Sequence, residues 1–89
     1  MKILVRDSKG KLTGINVSDS DTVYELKKII KSQNKIDNDI ELIFNGMILE
    51  DTYTFNELEI EDGNIIEYLG TFLAGLNKYY SNIISLKLW

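Results

Sequence analysis

The chain opens on alternation. Met1, Ile3 and Val5 fall on one side and Lys2, Leu4 and Arg6 on the other, the pattern of a half-buried strand. Ser8-Lys9-Gly10-Lys11 is a polar connection containing a glycine, and alternation returns with Thr13, Ile15 and Val17. A β-hairpin over about residues 1–17 follows, with strands near 1–7 and 11–17. The period then lengthens. Val23, Leu26 and Ile30, with Ile29 beside them, form an apolar stripe at helical spacing, and Lys27, Lys28 and Lys31 are expected to face water. Thr22-Val23-Tyr24-Glu25 is a capping box: the Thr22 hydroxyl can accept from the Glu25 N–H, and the Glu25 carboxylate can reach back. Asp19 and Asp21 suit the positive end of the helix dipole and the later lysines its negative end. The helix is expected over about 22–34, ending near Gln33-Asn34.

Glu41-Leu42-Ile43-Phe44 reads as a third strand, near 41–45, and Met47-Ile48-Leu49 as a short fourth. Asn45-Gly46 between them is a strong two-residue hairpin signal, because both positions of such a turn need positive φ. A second capping box, Thr54-Phe55-Asn56-Glu57, predicts one short helical turn, partly 3₁₀. Asp62-Gly63-Asn64 is a turn, and Ile65-Ile66-Glu67-Tyr68-Leu69 is a last strand. The order ββαββ, short turn, β defines an α+β domain in which one helix crosses a mixed sheet of four to five strands. Beyond it, Phe72, Leu73, Leu76, Tyr79, Tyr80, Ile83 and Ile84 recur at helical spacing, and Leu86, Leu88 and Trp89 lengthen the apolar content. The chain thus divides into a domain at 1–71 and an amphipathic extension at 72–89.

Composition narrows the chemistry. A length of 89 residues allows one domain, and 44% hydrophobic with 27% charged residues is ordinary for a globular chain. Neither cysteine nor histidine is present, which removes disulfides, thiolate nucleophiles, zinc–thiolate sites and the usual neutral-pH general base. A net charge of −4 argues against nucleic acid, where phosphate neutralisation dominates affinity. A charge interrupts Met1–Asp7 before an apolar core can form, so no secretory signal is expected. Asp37-Asn38-Asp39-Ile40-Glu41 lacks the glycine and spacing of a calcium loop, and Glu57, Glu59, Glu61 and Asp62 read as a solvated face. No P-loop or Rossmann glycine pattern occurs. The expectation is a non-enzymatic protein with no cofactor and no metal.

Leu42-Ile43-Phe44-Asn45-Gly46-Met47-Ile48-Leu49-Glu50-Asp51 resembles the strand–turn–strand segment of ubiquitin and its relatives, the β-grasp fold. Ser20-Asp21-Thr22 before the helix, Thr54, Ile60 and the Asp62-Gly63 turn also match, and the likeness covers about residues 1–75. The fitting apolar positions are Ile3, Val5, Ile15, Val17, Val23, Leu26, Ile30, Leu42, Leu49, Phe55, Ile60, Ile66 and Tyr68. This is not ubiquitin itself: Met47 and Asp62 stand where the family carries well-used chain-forming lysines, and Thr71 replaces the tail arginine. The resemblance implies recognition of ubiquitin-receptor or proteasome-pathway domains by a protein inside the cell, in the cytoplasm or nucleus.

The family's patch of a leucine, an isoleucine and a valine maps to Ser8, Ile43 and Leu69. Strand parity supports it: with Leu42 and Phe44 inward Ile43 points outward, and Leu69 and Leu4 do so by the same rule. The partner-binding candidates are therefore Ile43, Leu69, Leu4, Ser8 and Met47. The family's terminal Gly-Gly aligns with Ala74-Gly75, which makes these two residues the candidate processing and conjugation site, with fourteen residues beyond them. Three readings of residues 72–89 stay open: a helix packed on its own domain, a helix for a partner, a second copy or a membrane surface, and a propeptide removed after Gly75. Asn77, Lys78, Asn82 and Lys87 make it a poor membrane span. Three functions follow in order: a recognition domain, a modifier precursor matured at Gly75, and a structural domain of a larger protein.

Overall fold

A computed structural model describes residues 1–70. In chain order the elements are β1 (Lys2–Arg6), β2 (Leu12–Asn16), α1 (Val23–Asn34), β3 (Ile40–Phe44), β4 (Met47–Ile48) and β5 (Ile65–Gly70). Each lies within a residue or two of its expected bounds. The extension at 72–89, with Ala74 and Gly75, lies outside the described residues.

The strands form one sheet in the order β2-β1-β5-β3-β4. β1 runs parallel to β5, and the other neighbours are antiparallel. This is the mixed sheet crossed by one helix that the residue patterns and the family resemblance both imply. Asn45 (φ 50°) and Gly46 (φ 78°) both adopt positive φ in the β3–β4 turn, the conformation that lets a two-residue loop follow the strand twist.

One side of the sheet closes on α1. Ile3, Val5, Ile15, Val17, Ile40, Leu42 and Ile66 meet Val23, Leu26 and Ile30 of the helix, with Leu49, Phe55 and Ile60 from the connections completing the core. Ile40 belongs to this core although its strand reads from Glu41 in the sequence, and Tyr68 is only partly buried against it. The helix start is pinned twice. Thr22 Oγ1 accepts from the Glu25 N–H at 3.3 Å, while the N–H groups of Val23 and Tyr24 donate to the carbonyls of Tyr53 and Asp51 at 3.0 and 3.1 Å. The loop after β4 thus satisfies donors that a helix leaves free in its first turn. Its other end is closed by Lys35 in the left-handed region (φ 53°), whose N–H bonds the Lys31 carbonyl.

One further expectation is met and one needs correction. The Thr54 capping box forms in both directions, Glu57 N–H to Thr54 Oγ1 and Thr54 N–H to Glu57 Oε1, each 3.1 Å. It starts the one short turn expected: an α-type bond, Leu58 N–H to the Thr54 carbonyl, and a 3₁₀-type bond, Glu59 N–H to the Asn56 carbonyl, both 3.1 Å, before Glu59 at φ 57° stops propagation. Lys27, expected to face water, keeps only 12% of its side chain exposed.

Candidate functional site

The side of the sheet away from α1 is set by the same registers. Arg6 of β1 stands beside Glu67 of β5, which stands beside Ile43 of β3, which stands beside Ile48 of β4. Leu12 of β2 extends the row at its other end, opposite Arg6. In the middle of the row Arg6 Nη2 donates to Glu67 Oε1 at 3.2 Å. Leu4 pairs with Ile65 two residues along from this ion pair, and Leu69 lies two residues beyond Glu67 on the opposite side. Leu4, Ile65, Leu69, Ile43 and Ile48 therefore share one face with this exposed charge pair, and Glu41, opposite Leu69, and Lys2, two residues before Leu4, have the same parity.

The sequence candidates divide accordingly. Leu4 and Leu69 are half-buried on this outer face, as parity requires. Ile43 shares the face and stands outside the core cluster, yet it is only 6% exposed. The expectation of an openly presented Ile43 is thus corrected: β3 lies between β4 and β5, so Ile48 and Glu67 flank the side chain from both strands. Met47 is 63% exposed, but it pairs with Phe44 and so belongs to the opposite parity from Ile43. Ile48 occupies the outer-face position instead. Ser8 is exposed in the β1–β2 turn, where Asp7 Oδ1 accepts from the N–H groups of Lys9 and Lys11 at 2.9 Å. Ile65, 37% exposed, and Ile48 were missing from the candidate set. The parity that placed Leu69 outward also places Ile65 outward, so that signal was present in the sequence.

A second constellation sits where α1 meets the sheet edge. Lys27 Nζ lies 2.5 Å from Asp51 Oδ1 and 3.2 Å from Glu41 Oε1. Burial, the largest single influence, pulls the Lys27 pKa down, but the Asp51 and Glu41 carboxylates together raise it above the ordinary 10.5. The ammonium stays charged and ties helix, β3 and the loop after β4 together, which is structural work. Burial, with a smaller contribution from Asp7, also raises the Tyr68 phenol. Among the described residues there is no group of three or more acidic, histidine or cysteine side chains placed to hold a metal ion. Every buried polar side-chain atom among them has a hydrogen-bond partner.

A family model described as Ubiquitin-2 like Rad60 SUMO-like matches residues 1–69. The chain belongs to the ubiquitin-like family. A relative, Ubiquitin-like protein NEDD8-like protein 2 of Dictyostelium discoideum, is 35% identical to this ubiquitin-like chain over 63 residues, which cover 70% of the chain and 79% of that protein. The matched residues carry all five strands and the helix up to Leu69, so the outer sheet face lies within the family domain.

Proposed function

We propose that this ubiquitin-like protein acts without catalysis, by binding other proteins through the outer face of its sheet. The observation that carries this reading is the gathering of Leu4, Ile65, Leu69, Ile43 and Ile48 on one sheet face with the Arg6–Glu67 pair. Aliphatic side chains gathered on a sheet face beside an exposed charge pair supply apolar area and a polar contact to a partner. The family points to ubiquitin-receptor or proteasome-pathway domains as that partner, met inside the cell in the cytoplasm or nucleus. Replacing Ile65 and Leu69 together by alanine is expected to weaken binding to a ubiquitin-receptor domain by about 1–2 kcal/mol or more. Isothermal titration with that domain reads the change, and an unchanged affinity rejects the face.

The NEDD8-like relative favours a second reading, a modifier precursor matured at Gly75 and joined to lysine amines. Ala74-Gly75 would then form the reactive terminus, since glycine passes a narrow catalytic channel without side-chain obstruction. Intact mass after incubation with lysate of the source cell separates the two. Loss of residues 76–89 supports the modifier, and an intact chain supports the recognition domain.

A further inference from the structure

β5 is the middle strand of the five, and the chain leaves it at Gly70, opposite Ile40. Whatever follows therefore starts from the centre of the sheet rather than from an edge. Residues 72–89 contain ten large apolar side chains, among them Phe72, Leu76, Tyr80, Ile83 and Trp89. Left in water, that area is unfavourable, because each such side chain gains roughly 1.5–3 kcal/mol on full burial. As a helix this segment reaches about 27 Å at 1.5 Å per residue. The axes of the two outermost strands of a five-stranded sheet lie about 19 Å apart. The segment is long enough to cross the sheet from its middle to either edge and beyond.

The two parts carry opposite net charge, an attraction that selects no particular face, because Lys2 and Arg6 balance Glu41 and Glu67 on the outer side of the sheet. All fourteen carboxylates lie in residues 1–70, with eight of the ten Lys and Arg, giving that part a net charge of −6. Residues 71–89 contain only Lys78 and Lys87, a net charge of +2. The side of the sheet facing α1 is already filled, whereas the outer face presents Leu4, Ile65 and Leu69 with no second helix among the described residues to cover them.

We propose that residues 72–89 dock as an amphipathic helix across the outer face of the same chain's sheet, on Leu4, Ile43, Ile48, Ile65 and Leu69, and compete there with a protein partner. Docking rests on geometry and apolar area; the competition rests also on the reading of this face as a partner surface. Attachment at Gly70 holds the segment at an effective concentration in the millimolar range, which favours its own sheet over a second copy's at ordinary concentrations. The domain then presents its binding face only in the fraction of molecules whose segment is displaced. Partner affinity falls by that fraction.

The test uses the full chain, with and without Leu76→Asp and Ile83→Asp together. Methyl-detected NMR should show contacts from Ile43, Ile48, Ile65 and Leu69 to the rings of Phe72, Tyr80 and Trp89. They should persist unchanged on tenfold dilution. The double variant should lose these contacts, red-shift the emission of Trp89, the chain's single tryptophan, and bind a ubiquitin-receptor domain about tenfold more tightly, as expected if about a tenth of the parent chain is open. Absence of the contacts in the parent chain overturns the docking. Contacts that fade on dilution, with a doubled mass at high concentration, overturn it in favour of a second copy. Contacts retained with equal partner affinity in both chains overturn the competition alone. Contacts retained with no receptor binding by either chain uphold the docking and overturn both the competition and the partner reading.

Discussion

Leu42 and Ile43 are adjacent in β3 and serve opposite sides of the sheet. Leu42 is fully buried against α1 with Ile3, Leu26, Ile30 and Ile66. Ile43 lies away from that core, between Ile48 and Glu67, and keeps 6% exposure. On the helix side, alternation translates directly into burial because a second layer waits there. On the outer side, burial depends on which strand a residue occupies: Ile43 is shielded in an interior strand, whereas Leu12 on edge strand β2 is 47% exposed. Parity thus assigns a face, and strand order decides how open a position on that face is.

The largest test of this difference is Leu42→Ala. A cavity next to α1 is expected to cost about 3–4 kcal/mol, read by urea denaturation. Ile43→Ala should cost about 2 kcal/mol, less than Leu42→Ala because flanking residues on one layer collapse more easily than a two-layer core. Equal losses would erase the distinction between the faces. A loss under about 0.5 kcal/mol would show Ile43 to be openly exposed, as an ordinary surface position is.

Lys27 joins the two layers at the sheet edge. Lys27→Met is expected to cost about 1–2 kcal/mol, below the figure for a fully buried pair because Asp51 and Glu41 remain partly exposed. Its pKa is raised in the folded state, so its contribution is complete below the unfolded lysine value and fades as pH rises through the higher folded value. The raised Tyr68 phenol acts in the same direction. Urea midpoints should therefore fall above about pH 10 in the parent chain, and less steeply in Lys27→Met. Parallel curves would assign the alkaline loss to other groups.

A smaller effect is expected at the helix end. Lys35 occupies the left-handed region without the freedom of glycine, and Lys35→Gly should stabilise by about 0.5–1 kcal/mol. A destabilised variant would show that the lysine stem contributes packing there.

How much of this was legible follows from what each feature depends on. The hairpin at Asn45-Gly46, the Thr22 cap and the apolar stripe of Val23, Leu26 and Ile30 are local, and each stands where its pattern places it. The faces of Leu4, Leu69 and Ile65 are local too, by strand parity. The burial of Ile43 and Lys27 is not local. It requires β5 and β4 to flank β3, and the Asp51 loop to fold back on α1, pairings that no window of neighbouring residues contains. The Thr54 capping box is local as well: its side-chain bonds and the single turn they start form as patterned, and a positive φ at Glu59 closes that turn.

The central claim is that the outer sheet face is where this ubiquitin-like protein meets its partner, and amide chemical-shift mapping of the full chain during titration with a ubiquitin-receptor domain tests it most directly. The account predicts saturable shifts clustered at Leu4, Arg6, Ile43, Ile65, Glu67 and Leu69, with Tyr24, Lys28 and Ser32 on the opposite, exposed side of α1 unmoved. Shifts gathered on α1 with β1, β3 and β5 unchanged would contradict it.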